Sequence, residues 1–578
     1  MTSFEKKQFG FVALGLAFLS FLFFQFFYPY HLFFKEQIQL FLYTPDYFRS
    51  YFNHPAWLTS YAGDFLTQFF YLRGGGPIVL ALLFCMEWLL ASFVIKRITL
   101  SKNAPLWALL PVAIDWILSC DLLHPVSVTI GFIAVLLLFL CYASISNRRL
   151  ALATGLAFIL IGYWIAGSLF LLFPVLVICL ELKSKRKSWA IWILVAIFTF
   201  LIPVVSRDYY LLTILQSYIY PAVKLQSLLL PVTLIVALMC VILLKQLEVR
   251  YQRYFSVALS FIFVAMMVVG IKANASFYYE KILSLDNEYN WGNNERVIEL
   301  SRKYELKSRN ATYYTNMALA KKGLLPEYLM EFYQPASFGL ILPVSPEENW
   351  QTIFVSNEVF FLMGDMNLAQ HSAMLGNTFS PYQRSSRMIK RLAEINLING
   401  DSAAANKYLQ ILTHTRFHKK WAENRLAMNH ASASNKWLTE KRAQIPITDT
   451  LRKSNDYLAS LNFLVQQNPK NLVALDYLLC YYLLNKDLNA LIKVYDQYGR
   501  LIKRPVTSLY SEALLIKLYS RQATKEEITS YSISPQIIND FVAYTQLYDQ
   551  SKGDLNVLKE RFGKSYWFYY HFATIQKK

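Results

Sequence analysis

Long uncharged stretches in the first 275 residues constrain the fold of this chain more than any other feature. An α-helix of about 20 apolar residues crosses the roughly 30 Å hydrocarbon core of a bilayer and satisfies its own backbone hydrogen bonds there. Such stretches lie near residues 9–28, 77–95, 104–120, 126–145, 188–204, 227–244 and 254–271. Because 55% of the residues are hydrophobic, we expect an integral membrane protein and exclude a purely soluble one.

The run from residue 150 to 182 is too long for one span and short for two, and Ala166, Gly167 and Ser168 lie at its middle. A single crossing would put Arg148 and Arg149 on the opposite side from the basic residues at 183–187, against the preference of Lys and Arg for the cytoplasmic side. A hairpin puts both groups on one side. The sequence therefore predicts an all-α fold that begins with a polytopic transmembrane domain of about nine spans.

The basic residues at the span ends predict the orientation of this domain. With a cytoplasmic N-terminus, 14 of them face the cytoplasm: Lys6, Lys7, Lys96, Arg97, Lys102, Arg148, Arg149, Lys183, Lys185, Arg186, Lys187, Lys245, Arg250 and Arg253. Only 6 face outward: Lys35, Arg49, Arg73, Arg207, Lys224 and Lys272. We therefore expect a multi-pass protein of the inner (cytoplasmic) membrane. Its outer loop at residues 29–76 and its C-terminal half would be periplasmic or otherwise extracytoplasmic.

Residues 276–578 have the charge density of a soluble domain, so we predict a domain boundary after residue 275. Residues 391–412 and 468–498 each read as helix, short polar turn, helix, and residues 297–333 fit the same scheme less cleanly. These segments resemble tetratricopeptide-type hairpins with a degenerate motif. The prediction is a soluble TPR-like α-solenoid, which would bind a protein or peptide or would only cap the membrane domain.

The segment after the first span, "KEQIQLFLYTPDYFRSYFNHPAWLTSYAGDFL" at residues 35–66, resembles the first extracytoplasmic loop of GT-C glycosyltransferases. It resembles especially the branch of the protein O-mannosyltransferases and the lipid A aminoarabinose transferase. That family has an Asp-Glu pair after the first span and then a "YFDHPP"-like step. Here Glu36 and "YFNHPA" at residues 51–56 stand in those places, while Lys35 replaces the family's catalytic aspartate and Ala56 its second proline. The whole chain also resembles an uncharacterised family of bacterial multi-pass proteins with a C-terminal helical-repeat domain.

The resemblance implies transfer of a sugar-type group from a polyprenyl-phosphate donor on the outer face. This chemistry needs a carboxylate that accepts the proton of the acceptor and cations that stabilise the phosphate leaving group. The candidate catalytic carboxylates are Glu36, Asp64 and Asp121. The candidate substrate-binding residues are Lys35, Arg49, His54, Arg73, Asp115, His124 and Arg207. Asp115 stands out because a carboxylate within an apolar span is costly and usually faces a cavity or a partner.

Two hypotheses of different kinds remain open. In the first, Glu36 takes over as the base and the chain is a transferase; in the second, the site is silent and the chain is a membrane-anchored scaffold for cell-envelope proteins. A transporter ranks lower, because most spans lack polar residues at their midplane. The six cysteines show no zinc-ligand spacing, so no cofactor is indicated, although a divalent metal would be compatible with the transfer. We expect the bilayer as a partner and no nucleic acid, because the basic residues lie at span ends.

Overall fold

The structure, a computed structural model, describes residues 3–574 apart from 184–188, 245–251, 343–349, 431–434, 449, 451, 454–455 and 500–505. The described residues form helices joined by turns, and none of them belongs to a β-strand. The predicted all-α class is therefore confirmed. The chain divides into two compact units. The first comprises Met1–Glu280 and His414–Phe417, and the second comprises Lys281–Thr413 and His418–Lys578.

The first unit is built from apolar helices and a few short amphipathic ones. The helices are α1 Ser3–Leu22, α2 Tyr30–Gln37, α3 Pro45–Ser50, α4 Trp57–Thr67, α5 Gly75–Thr99, α6 Ala104–Trp107, α7 Leu109–Ser119, α8 Val126–Ser144, α9 Arg148–Ala166, α10 Leu172–Lys183, α11 Trp189–Ser206, α12 Ile214–Ile219, α13 Leu229–Leu243 and α14 Gln252–Asn274. Large buried side chains such as Phe84, Trp88, Phe132 and Trp192 form a continuous apolar core between them.

Six segments among the described residues are long and apolar enough to cross a membrane. They are Phe9–Phe27, Gly75–Thr99, Val126–Ser144, Ile161–Lys183, Leu225–Leu243 and Tyr254–Asn274. Ala104–Ser119 and Trp192–Ser206 are apolar but shorter. The chain therefore has the helices of a membrane protein. The ambiguous run is broken at Gly167, where φ is +65°, and most of the basic cluster at 183–187, as well as Lys245 and Arg250, lies outside the described residues.

Short helices in the loop between the first two apolar segments hold several of the predicted site residues, namely Lys35, Glu36, Arg49 and Asp64. Thr44 caps α3 by accepting a hydrogen bond from the backbone N–H of Tyr47, with Pro45 at the first helical position. The chain then turns into α5 at Gly74, where φ is +85°. A Cβ on Gly75 would lie 2.1 Å from the Phe69 carbonyl oxygen, so the close approach of the backbone here requires glycine.

The second unit consists of helices that pack against their neighbours in sequence. The helix α15 Phe277–Asn290 belongs to the first unit up to Glu280 and to the second unit from Lys281. The others are α16 Asn294–Tyr304, α17 Arg309–Lys321, α18 Leu325–Tyr328, α19 Trp350–Met363, α20 Met366–Phe379, α21 Ser386–Asn399, α22 Ser402–Thr413, α23 Lys419–His430, α24 Lys436–Arg442, α25 Tyr457–Gln467, α26 Leu472–Leu484, α27 Leu488–Val494, α28 Ser508–Ser520, α29 Lys525–Ser530, α30 Pro535–Gln550, α31 Leu555–Phe562 and α32 Tyr566–Phe572.

The two segments that most clearly predicted hairpins do form helix, turn, helix. Helices α21 and α22 are joined at Gly400, where φ is +81°, and α26 and α27 are joined at Lys486, where φ is +57°. The two helices of each pair pack against each other. Asp487 caps α27 by accepting a hydrogen bond of 3.0 Å from the Ala490 backbone N–H.

A buried ionic network joins four helices of this unit. The Arg387 guanidinium on α21 donates to Asp286 on α15 at 2.9 Å and to Glu358 on α19 at 2.9 Å. Tyr314 on α17 donates to Asp286 at 2.6 Å, and Arg391 donates to Glu358 at 2.6 Å. Burial disfavours the ionised form of Glu358, yet Arg391 and Arg387 together hold its pKa below its usual value. The network fixes how these helices meet, since each buried charge needs its partner.

Candidate functional site

Three of the predicted site residues lie in one connected polar cluster of the first unit. The Lys35 ammonium on α2 donates to the backbone carbonyl of His124 at 2.6 Å. The His124 Nε2 atom lies 3.3 Å from Asp115 Oδ1 on α7, and Thr129 on α8 donates to Asp115 Oδ2 at 2.7 Å. Burial lowers the pKa of Lys35 to about 8, although the charges of Asp121 and Asp115 oppose this shift. The cluster therefore joins α2, α7, α8 and the turn after α7.

Asp121 extends this cluster toward the start of α13. Its carboxylate pairs with Lys224 and also accepts a hydrogen bond of 2.9 Å from the Leu123 backbone N–H. Burial opposes ionisation of Asp121, but Lys224 and the Leu123 N–H lower its pKa below the usual value. Asp121, His124 and Lys224 line a cavity of about 10 Å³ together with Ser227. This is about the space of one water molecule.

An apolar groove lies beside this cavity and shares Leu118 and Gln226 with it. Its volume is about 270 Å³, and its walls are formed by α7, α13 and α14 through residues such as Ile114, Leu229 and Met266. The small polar cavity thus adjoins a larger apolar groove among the apolar helices.

Three residues of the cluster were not predicted as site residues: Lys224, Ser227 and Glu87. Lys224 and Ser227 precede an apolar helix, where polar residues usually mark only the end of a span. Glu87 is completely buried on α5 and interacts electrostatically with Asp115. The signal that could have identified Glu87 is its position among apolar residues of a span, which is costly for a carboxyl without a polar neighbour.

The carboxylate of Glu280 contacts the N-terminal residues of α2. Glu280 on α15 accepts hydrogen bonds from the backbone N–H groups of Tyr30 at 2.5 Å and His31 at 3.1 Å. Burial raises the pKa of Glu280 to about 8, although the two N–H donors oppose the shift. Burial, together with the charge of Lys35, lowers the pKa of His31. These contacts fix the helix that carries both Lys35 and Glu36.

The two other predicted carboxylates lie on α2 and α4. Glu36 is buried on α2, and its charge adds to the effect of burial in raising the pKa of Tyr71. Asp64 on α4 accepts a hydrogen bond of 2.5 Å from the Tyr51 hydroxyl. Burial and the Asp64 charge raise the pKa of Tyr220 to about 12, and His54 stacks on Tyr220 with 6.2 Å between ring centroids. His54 thus lies beside Tyr220, and Asp64 is near enough to act on Tyr220 electrostatically.

The predicted arginines at positions 49 and 207 form ion pairs with residues close to them in the sequence. Arg49 pairs with Asp46 on its own helix at 3.5 Å, and Arg207 pairs with the adjacent Asp208 at 3.4 Å. Arg73 is exposed in the turn before α5. Among the described residues, no group of three or more His, Cys, Asp or Glu side chains is arranged to hold a metal ion.

The fold and these contacts define a class: a helical membrane protein with a buried charged cluster beside an apolar groove, and with a second unit of packed helices. The chain belongs to a family of unknown function, DUF6057, whose model matches residues 5–573. No curated protein and no solved structure matches it.

Proposed function

We propose that the chain is a membrane-embedded, GT-C-like glycosyltransferase that moves a sugar-type group from a polyprenyl-phosphate donor. The observation that carries the proposal is that Lys35 and Asp115 both contact His124, and that His124 and Asp121 line one cavity. Each was chosen as a candidate from the sequence alone. Clusters of buried charged groups in clefts are typical of functional sites.

In this proposal the cluster binds the donor. The prenyl chain lies in the apolar groove, and the phosphate displaces Asp121 from Lys224, since a cavity of about 10 Å³ does not hold a phosphate while the pair is closed. Lys224 and Lys35 then stabilise the leaving phosphate. Glu36, next to Lys35 on α2 and in the place that the resemblance gives to a family carboxylate, is the base that accepts the acceptor's proton.

The proposal includes about nine spans, a periplasmic or otherwise extracytoplasmic TPR-like second unit, and location in the inner membrane. It is supported by the charge bias in the sequence, since the positive-inside rule places the side with fewer Lys and Arg outward. Alkaline phosphatase fused after Lys272 should be active, because it would reach the outer side, and the same fusion after Lys187 should be inactive. The reverse pattern would contradict the orientation.

Replacing Lys224 by Gln tests donor binding directly. We expect the affinity of the purified protein for a polyprenyl monophosphate, measured by native mass spectrometry, to fall about tenfold or more. The reason is that a charge-assisted contact with phosphate contributes about 1.5–3 kcal/mol. Lys272→Gln removes the same charge from an exposed position at the end of α14 and should leave the affinity unchanged. Equal affinities in both variants would contradict the binding site.

The alternative function is that of a non-catalytic scaffold for cell-envelope proteins. It is favoured by a cavity of about 360 Å³ within the second unit, lined by aromatic residues such as Phe332, Phe568 and Tyr569 and by Lys559. Stacked helical hairpins commonly bind peptides. A scaffold would be insensitive to substitutions of Glu36 and Lys224, which separates it from the transferase.

A further inference from the structure

His124 contacts a carboxylate on one side and a hydroxyl on the other. Its Nε2 atom lies 3.3 Å from Asp115 Oδ1, and its Nδ1 atom lies 3.4 Å from the Ser227 hydroxyl oxygen. The three residues come from α7, from the turn before α8 and from the 3₁₀ turn Leu225–Leu228. Asp115, His124 and Ser227 are only 0%, 5% and 4% exposed. Their arrangement therefore depends on packing between separate parts of the chain.

The chemistry of the partners assigns the protons. A carboxylate accepts hydrogen bonds only, so the proton of neutral His124 lies on Nε2 and is donated to Asp115. Nδ1 is then an acceptor, and the Ser227 hydroxyl donates to it. Asp115 accepts a second hydrogen bond, of 2.7 Å, from the Thr129 hydroxyl. The result is a carboxylate–imidazole–hydroxyl series, which is recognised by these roles and not by sequence order.

The surroundings of Ser227 fit an ester of a lipid. Ser227 and His124 line the polar cavity, and Lys224 provides a cation at the same cavity. The adjoining groove, with Ile114, Leu118 and Val269 in its walls, is apolar. The distances of 3.3 and 3.4 Å are longer than in a reacting complex, and such contacts tighten when a substrate binds.

We propose that Ser227 is the nucleophile of an acyl-transfer site for lipid carboxylic esters, with His124 as its base and Asp115 as the residue that orients His124. The acyl chain lies in the apolar groove. This inference goes beyond the proposed glycosyl transfer, because nothing in it requires a sugar or a phosphate.

The residues of this site account for every bond and proton of the acyl transfer. The ester carbonyl oxygen displaces Asp121 from Lys224, with which Asp121 is paired. The Ser227 oxygen then forms a bond to the ester carbonyl carbon while its proton passes to His124 Nδ1, and Lys224 stabilises the oxyanion. The ester C–O bond then breaks, and the leaving alcohol takes the proton from His124. The acyl group remains on Ser227 until an acceptor hydroxyl, from water or another alcohol, attacks it. That hydroxyl gives its proton to His124, and Ser227 recovers it.

A long-chain alkyl fluorophosphonate tests this inference without knowledge of the natural ester, since it reacts with activated serines. The intact protein in detergent should be labelled at Ser227, as located by peptide mass spectrometry. Ser227→Ala should remove the label, and His124→Gln should slow labelling on the order of a hundredfold or more. The matched control is Ser217→Ala, because Ser217 is also buried but donates to the Ile214 carbonyl, and labelling should persist.

Two results would overturn the inference: an intact protein that is not labelled at Ser227, or a His124→Gln variant that is labelled as fast as the parent. Thermal unfolding of each variant shows that a loss of label is not a loss of folding, and Asp115→Asn should slow labelling without preventing it. Polyprenyl-phosphate binding by Ser227→Ala separates the two proposals. If the parent protein binds polyprenyl phosphate but is not labelled by the fluorophosphonate, the acyl-transfer site is refuted while the transferase proposal is not contradicted.

Discussion

Replacing Arg387 by Met should lower the free energy of unfolding of the second unit by about 3–5 kcal/mol. The substitution keeps most of the apolar volume but leaves the carboxylates of Asp286 and Glu358 buried with less compensation. Breaking a buried pair in this way costs far more than the pair itself contributes, since an uncompensated charge remains in a medium of low polarity. Urea unfolding of residues 276–578, followed by far-ultraviolet circular dichroism, measures the change.

The control is Arg302→Met, which breaks the ion pair with Glu331 at the surface, where the Arg302 side chain is 50% exposed. It should cost less than about 1 kcal/mol. Adding Asp286→Asn to Arg387→Met should recover part of the loss, because one of the uncompensated charges is then gone. If Arg387→Met unfolds at the same urea concentration as the parent, the network does not stabilise this unit.

Replacing Glu36 by Gln should reduce sugar transfer by a factor on the order of a hundred or more, while the protein remains folded. Gln keeps the volume and the hydrogen-bonding capacity of Glu36 but cannot accept a proton, so only the general-base step is lost. The measurement is transfer of a radiolabelled sugar from polyprenyl-phosphate donors in membrane vesicles, together with complementation of a deletion strain. A scaffold would show no change in complementation.

Asp46→Asn is the matched control, because Asp46 is a carboxylate of the same loop whose side chain is 94% exposed. Asp64→Asn and Arg207→Gln are tested in the same assay as Glu36→Gln. Loss of Arg207 should raise the donor concentration needed for half-maximal transfer. If Glu36→Gln, Asp64→Asn and Arg207→Gln all complement as well as the parent, the transferase proposal fails. The replacement of the family aspartate by Lys35 would then indicate an inactive site, and the scaffold function would replace the transferase proposal.

The sequence predicted the helices of this chain well because their signals are local. Apolar length predicted the segments at Gly75–Thr99 and Val126–Ser144, and the long run after Arg148 has its helix α9 end just before Gly167. The hairpins at Gly400 and Lys486 followed from polar turns between apolar periodic segments. The apolar segment at 104–120 is interrupted between α6 and α7 and, at Ala104–Ser119, is shorter than the six long segments.

The candidate site was only partly predictable. Asp115 stood out from the sequence because a carboxylate in an apolar helix is costly wherever the helix lies. Its contacts with His124 and Thr129, and the contact of His124 with Ser227, join residues that are up to 103 positions apart. No local pattern encodes such a pairing. The arginines at 49 and 207 were equally plausible candidates by charge, yet their ion pairs are with Asp46 and Asp208.

The sequence by itself determined that this chain is helical and that its first half has the apolar length to enter a membrane, because helix formation and hydrophobic length depend on neighbouring residues. Only the tertiary structure decided which polar residues meet. Lys35 reaches the His124 carbonyl, and Arg387 joins Asp286 to Glu358, because packing of distant helices brings them within hydrogen-bonding distance. The physical reason is that a buried charge must have a partner, while the partner's identity depends on which helices pack together.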